Sequence, residues 1–138
     1  MPRETYKPNK VFSLKEANKT LPLVSRIIQD IVRVNDELAE AHDLAQRLAQ
    51  EGAATRAAEA KDRLEDLSFE AAAFVEELEK VGCLCKDPAV GLVDFPAQLG
   101  DRIVFLCWRM GEPEITFWHE VHAGFTGRKP VAAKFGEP

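Results

Sequence analysis

Two long stretches of the chain repeat apolar residues in alternating steps of three and four. Val24, Ile27, Ile31, Val34, Leu38, Ala41, Ala45 and Leu48 form the first series; Ala57, Ala60, Leu64, Leu67, Ala71, Phe74, Leu78 and Val81 form the second. A mean step of about three and a half residues keeps one stripe of an α-helix on one side, so each series predicts a helix with a heptad-spaced seam. Gly52-Ala53 separates them. Folding the chain there sets Ala41 against Leu64, Val34 against Ala71 and Ile31 against Phe74, so small residues mostly oppose large ones. The pattern predicts a long antiparallel, coiled-coil-like helical hairpin over residues 12–82.

Its ends are marked. Ser13-Leu14-Lys15-Glu16 after Val11-Phe12 fits a capping box, in which the Ser13 hydroxyl satisfies an orphan N–H. Asn18 to Pro22 reads as an interruption, with Pro22 in the first turn of a second helix, so a short leading helix is expected before the long one. Gly82 suits the stop after Lys80-Val81. Off the seam lie Leu21, Leu23, Ile28 and Val32 on one helix and Phe69, Ala72, Ala73 and Val75 on the other. A hairpin alone leaves these wet, so the C-terminal half is expected to dock on the open end; a dimer interface is the alternative. The Ala-rich tip at Gly52 is expected in solvent or against another subunit.

Beyond Gly82 the period falls from 3.6 to 2. Cys83 to Lys86, Leu92 to Phe95, Ile103 to Met110 and Ile115 to Val121 read as short strands separated by Asp87-Pro88, Gly100-Asp101 and Gly111-Glu112-Pro113. The last two strands form a hairpin. Ile103, Phe105, Cys107 and Arg109 share one face, and Val104, Leu106, Trp108 and Met110 the other. Both faces are largely apolar, so both are expected to be covered. The fold class is α+β: one domain over residues 1–138, with the hairpin packed at its open end on a small antiparallel β-sheet and Gly-rich loop (83–130), followed by a tail (131–138) that is expected to be loose from Lys134 to Pro138.

Composition narrows the function classes. The 138 residues hold 18 Lys+Arg against 23 Asp+Glu, a net charge of −5. That argues against a general nucleic-acid binder, which presents a basic face. The acidic excess lies on the helices, and the C-terminal half, close to neutral, tolerates an anion. Cys83, Cys85 and Cys107 are too few for a disulfide framework. No apolar run approaches membrane-spanning length and the N-terminus has no apolar signal region, so a cytoplasmic protein is expected.

At GLVDFP, then LCWRMGE, then FWHEVHAGFTGRKP, behind a capped helical hairpin, the chain resembles the prokaryotic domain of unknown function 2203 family. The resemblance covers nearly the whole chain, and W-H followed by G-F-x-G-R is its most specific part. It implies a small bacterial cytoplasmic protein and brings no established activity. Its pattern does not demand cysteines at 83 and 85.

Three constellations can carry chemistry, each beside a bland reading. His119, Glu120 and His122, with Cys107 or the Cys83-x-Cys85 pair, offer ligand types for Zn or Fe. On a strand, however, His119 and His122 point to opposite faces unless the strand ends near Glu120. The bland reading is a core-edge histidine and thiols acting as small apolar groups. Asp94, Arg109, His119 and Glu120, set among aromatics, can form an acid–base cleft in which Arg109 holds an anion. The bland reading is an Arg109–Asp94 or Arg109–Glu120 ion pair that fixes the sheet. Gly124-Phe125-Thr126-Gly127-Arg128-Lys129-Pro130 can let the backbone approach a phosphate or carboxylate, or be a tight turn with solvated charges. The aromatics, Trp108 and Trp118 included, read mainly as a packed mini-core.

The functional expectation is a non-enzymatic binding or interaction module, homo-oligomeric through the hairpin, with Trp108, Arg109, Trp118, Arg128 and Lys129 facing a small anionic ligand. The alternative is a metal-dependent or acid–base hydrolytic enzyme using His119 and Glu120.

Overall fold

In the computed structural model, residues 6–132 and 134–136 are described. Helix α1 runs Leu14–Gln50 and α2 runs Ala54–Val81. Strands β1 (Leu84–Asp87), β2 (Leu92–Leu99), β3 (Arg102–Arg109), β4 (Phe117–Glu120) and β5 (Lys129–Pro130) form one sheet in sequential order, each pair antiparallel. The result is an α+β fold built on a helical hairpin. None of the described helices is long and apolar enough to cross a membrane.

The seam carries the hairpin. Leu48 and Ala45 of α1 bury with Ala57 and Ala60 of α2 at the tip, and Val34 and Ala41 bury with Leu67 further down. The turn is short because Gly52 adopts φ +76°, a conformation that L side chains rarely take. At the start, Ser13 Oγ accepts the N–H of Glu16 at 3.0 Å. At the far end Gly82, φ +112°, closes α2 in the left-handed region.

One expectation is corrected at Pro22. There is no separate leading helix, because α1 passes through Pro22 without a break. A proline inside a helix costs about 3 kcal/mol. Here Leu14, Ala17 and Leu21 on one side of it and Val24, Ile27 and Ile28 on the other are all buried in the same core. Continuous packing along one face outweighs the local penalty.

The sheet lays its inner face on the open end of the hairpin. Val93, Phe95, Ala97, Val104, Leu106, Trp108 and Trp118 share the main core with Phe12, Leu21, Ile28 and Leu78. The turn into β2 presses closely on α1: a Cβ at Gly91 would lie 3.4 Å from Ile28 and Val32 and 2.7 Å from Met110 Cβ. Docking is therefore as expected for the α1 part of the extra apolar stripe, Leu23 excepted at 40% exposed. Of the off-seam residues Phe69, Ala72, Ala73 and Val75 on α2, only Val75 packs against the core, whereas Phe69 is 82% exposed. The sheet begins at Leu84, just past the end of α2 at Val81, and Phe69 lies 12 residues back from Val81 along the helix, about 18 Å at 1.5 Å per residue. The sheet does not reach it.

β2 extends further than the alternation predicts, running through Pro96 to Leu99. Its pairing with β1 ends at Asp94, and beyond that the Pro96 carbonyl accepts the N–H of Phe12 at 2.7 Å. The missing proline N–H faces that same side and so costs no ladder bond. The tail is also corrected in part. Val131 is buried and the Phe135 ring lies 5.8 Å from Trp118; Glu137 and Pro138 lie outside the described residues.

Candidate functional site

The outer face of the sheet, turned away from the helices, holds the unusual chemistry. In the β2–β3 register Asp94 stands opposite Cys107, and in the β3–β4 register Phe105 stands opposite His119. Side chains alternate along a strand, so Asp94, Phe105, Cys107 and His119 all project to this face. They are nevertheless sealed. Asp94 is 1% exposed, Cys107 0% and His119 2%. Tyr6 stacks at 5.3 Å on Phe105, whose ring also carries the Lys86 ammonium at 5.1 Å.

Asp94 and His119 form the centre. His119 Nε2 lies 2.9 Å from Asp94 Oδ1, and Nδ1 lies 2.7 Å from the Glu120 carbonyl oxygen. A carbonyl only accepts, so Nδ1 holds a hydrogen and donates it. Burial pulls the His119 pKa down, yet the hydrogen bonds to Asp94 and the Glu120 carbonyl, the neighbouring Cys107 and the Asp94 charge outweigh it and push the ring up to about 10. The ring is thus cationic at neutral pH. The same Asp94 charge adds to burial in raising the Tyr6 hydroxyl.

Asp94 and His119 also floor a cavity of about 250 Å³ whose walls include Lys86, His122, Gly124 and Phe125. The 121–125 segment that closes it follows β4 directly, and Gly124 takes φ +68° there.

The family is decided by sequence. A model described as an uncharacterized conserved protein, DUF2203, matches residues 10–131. The chain belongs to the DUF2203 family. No curated protein and no solved structure matches it. The matched span contains every described strand of the DUF2203 sheet, the Asp94–His119 pair, Cys107 and the cavity walls.

The residues singled out from sequence fall into three sets. Asp94, His119 and His122 come together at the cavity. Glu120 does not join them. It points to the opposite face from His119 and pairs with Arg102 at 2.7 Å, a hydrogen bond that holds its carboxyl below the ordinary range. A metal set of His119, Glu120 and His122 is therefore not assembled, because adjacent strand residues face apart. Neither Asp94 nor Glu120 pairs with Arg109, which is exposed, while its backbone N–H donates to Glu112 Oε1 at 2.6 Å.

The remaining candidates are built into packing. Trp108 is 2% exposed and donates Nε1–H to the Glu112 carbonyl at 2.9 Å. Trp118 is equally buried, with Lys129 and Lys134 ammonium groups 5.1 and 5.2 Å from its ring. Arg128 bonds Glu112 Oε1 at 2.6 Å and the Cys107 carbonyl at 3.1 Å, with its guanidinium over Phe117 and Phe125. That clamp sets its position. Cys83 and Cys85 belong to the helix-facing core, where burial pushes their thiols up to about 12 and about 11. Sequence reasoning set Cys107 with His119, and Asp94 with His119, but missed that all three meet at one point. The signal was the Gly100-Asp101 turn: a two-residue connection there sets Asp94 opposite Cys107.

Proposed function

We propose that this DUF2203 protein is a non-catalytic binding module that seats a small anion in the cavity over the Asp94–His119 pair. The observation that supports it best is the pairing of a fully buried ion pair at the floor with Lys86 and His122 at the walls. Asp94 is occupied by His119, so Lys86 is the cationic wall group left to meet a ligand, with the His122 ring beside it. A volume of about 250 Å³ falls below the range of drug-sized pockets, roughly 300–1,000 Å³, and suits a carboxylate- or phosphate-sized ligand. Acid–base hydrolysis by His119 and Glu120 finds no support, since the two side chains face opposite ways. Cys107, fully buried, is closed to substrate.

The test is two-dimensional NMR of chelator-treated protein titrated with inorganic phosphate and with acetate. Saturable shifts centred on Lys86, His122 and Gly124, weakened by salt and by Lys86→Ala, are expected. Absence of shifts at those amides refutes the anion site.

Self-association through the hairpin is a second reading, favoured by Phe69, a large aromatic left 82% exposed on α2. Sedimentation equilibrium over a range of concentrations reads it directly. Three free thiols fit a reducing compartment, the cytoplasm.

A further inference from the structure

We infer that Asp94, Cys107 and His119 form a binding site for one divalent ion of the zinc class, with its fourth position open toward the cavity. One carboxylate, one thiol and one imidazole are the ligand types that zinc takes, and mixed sets with an open position are typical of sites that bind a further group. Their donor atoms all lie within 4.8 Å of one another, and all three residues are buried. They stand on three adjacent strands, β2, β3 and β4, whose ladders hold them in place.

The histidine supplies the sharper argument. Nδ1–H is committed to the Glu120 carbonyl. Nε2 lies 2.9 Å from Asp94 Oδ1, so once the proton that the cationic ring carries there is removed, its lone pair faces a carboxylate oxygen. Two acceptors held that close in a dry site need something positive between them, and only a proton or a metal ion fits. A backbone carbonyl fixing the far ring nitrogen is the arrangement that orients metal-bound histidines. With metal–nitrogen and metal–oxygen bonds near 2.0–2.1 Å, a tetrahedral ion separates N and O by about 3.3 Å. The pair has to open by a few tenths of an ångström.

A nucleophilic triad does not fit the same atoms. In a triad the thiol and the carboxylate occupy opposite nitrogens of the ring. Here Nδ1 is taken by the backbone, so Asp94 and Cys107 share the Nε2 side. Binding displaces the proton between Nε2 and Asp94 and the thiol proton of Cys107, and both leave to solvent. Nothing is oxidised or reduced.

Co²⁺ tests this as a spectroscopic stand-in for Zn²⁺. Full-length protein prepared without an affinity tag and stripped by chelator is titrated with CoCl₂. One equivalent should give a sulfur-to-cobalt charge-transfer band together with visible ligand-field bands of a tetrahedral ion, and Zn²⁺ should bleach both. Cys107→Ser should remove the charge-transfer band, and Asp94→Asn should weaken binding at least tenfold. Cys85→Ser and Glu120→Gln should leave the spectrum intact. Folding of each variant is checked by circular dichroism; should Asp94→Asn fail to fold, the wild-type and Cys107→Ser titrations decide. Folded wild-type protein that gives no band at saturating Co²⁺ overturns the site, as does a band that survives in Cys107→Ser. Anion binding is read with chelator present, so either result can fail without the other.

Discussion

Metal-free protein should lose stability as pH rises from 6.5, and the His119–Asp94 pair sets the amount. The His119 pKa goes from 6.5 in the unfolded chain to about 10 in the fold, because Asp94, Cys107 and the Glu120 carbonyl overcome the opposing effect of burial. A raised value means that the folded state holds the proton more tightly. The associated stability is fully present below pH 6.5, falls as pH climbs toward about 10, and is gone above it. Within that window the slope is about 1.4 kcal/mol per pH unit. Cys83 and Cys85, raised to about 12 and about 11, act with the same sign. They contribute only once thiols of the unfolded chain ionise, near pH 8.5. The interval from 6.5 to about 8.5 therefore belongs to His119, and the expected loss across it is about 2–3 kcal/mol. Urea unfolding with chelator present, followed by fluorescence of the buried Trp108 and Trp118, measures it. Asp94→Asn should lose about 3–5 kcal/mol at the acid end, the range for breaking a buried pair, and should show a flattened pH profile. A wild-type profile level to within about 0.5 kcal/mol over the interval refutes the cationic ring.

Pro22→Ala should raise stability by about 1–2 kcal/mol in the same urea assay, because an N–H is restored inside α1 while the unfolded chain gains some freedom; no change, or a loss, means that the proline helps shape the contact with the sheet. Phe69→Glu should alter monomer stability by under about 0.5 kcal/mol, since the ring is exposed, while abolishing concentration-dependent association. Wild-type protein that sediments as a monomer at every concentration ends the self-association reading.

The hairpin was legible because its code is local. Steps of three and four from Val24 to Leu48 and from Ala57 to Val81, with Gly52 between, specify which side of each helix is dry before any partner is known. The docking surface was half legible. Leu21 and Ile28 signalled it correctly, but Phe69 carries the same apolar signature and stays exposed, because only the path of the chain after Gly82 decides what lies within reach. Pro22 misled, and the strand read as Leu92 to Phe95 runs on through Pro96, for one reason. Each is a local breaker, and each sits where the backbone penalty is avoided or outweighed: by a continuous core along α1 in one case, by an open strand side in the other. The centre of the site was the least legible part. Asp94 and His119 are 25 positions apart, and Cys107 joins them only through two strand registers set by two separate turns. Each residue reads singly as a sheet residue.

That the three lie on a dry face bears on why they are there. The inner face of the same sheet is filled by Val93, Phe95, Val104 and Leu106, and it packs well without a charge. An apolar pair of similar volume in place of a buried ion pair is commonly neutral or stabilising, so the stability lost when Asp94 alone is removed measures the cost of stranding His119, not an advantage of the pair over leucine and phenylalanine. The outer face could have been built like the inner one. It holds instead a carboxylate, a thiol and an imidazole at one point, with the histidine's other nitrogen fixed by the Glu120 carbonyl and a cavity directly above. Packing engages Arg128, Trp108 and Trp118 in close contacts. It leaves this cluster unaccounted for, and local violations of that kind are where function concentrates.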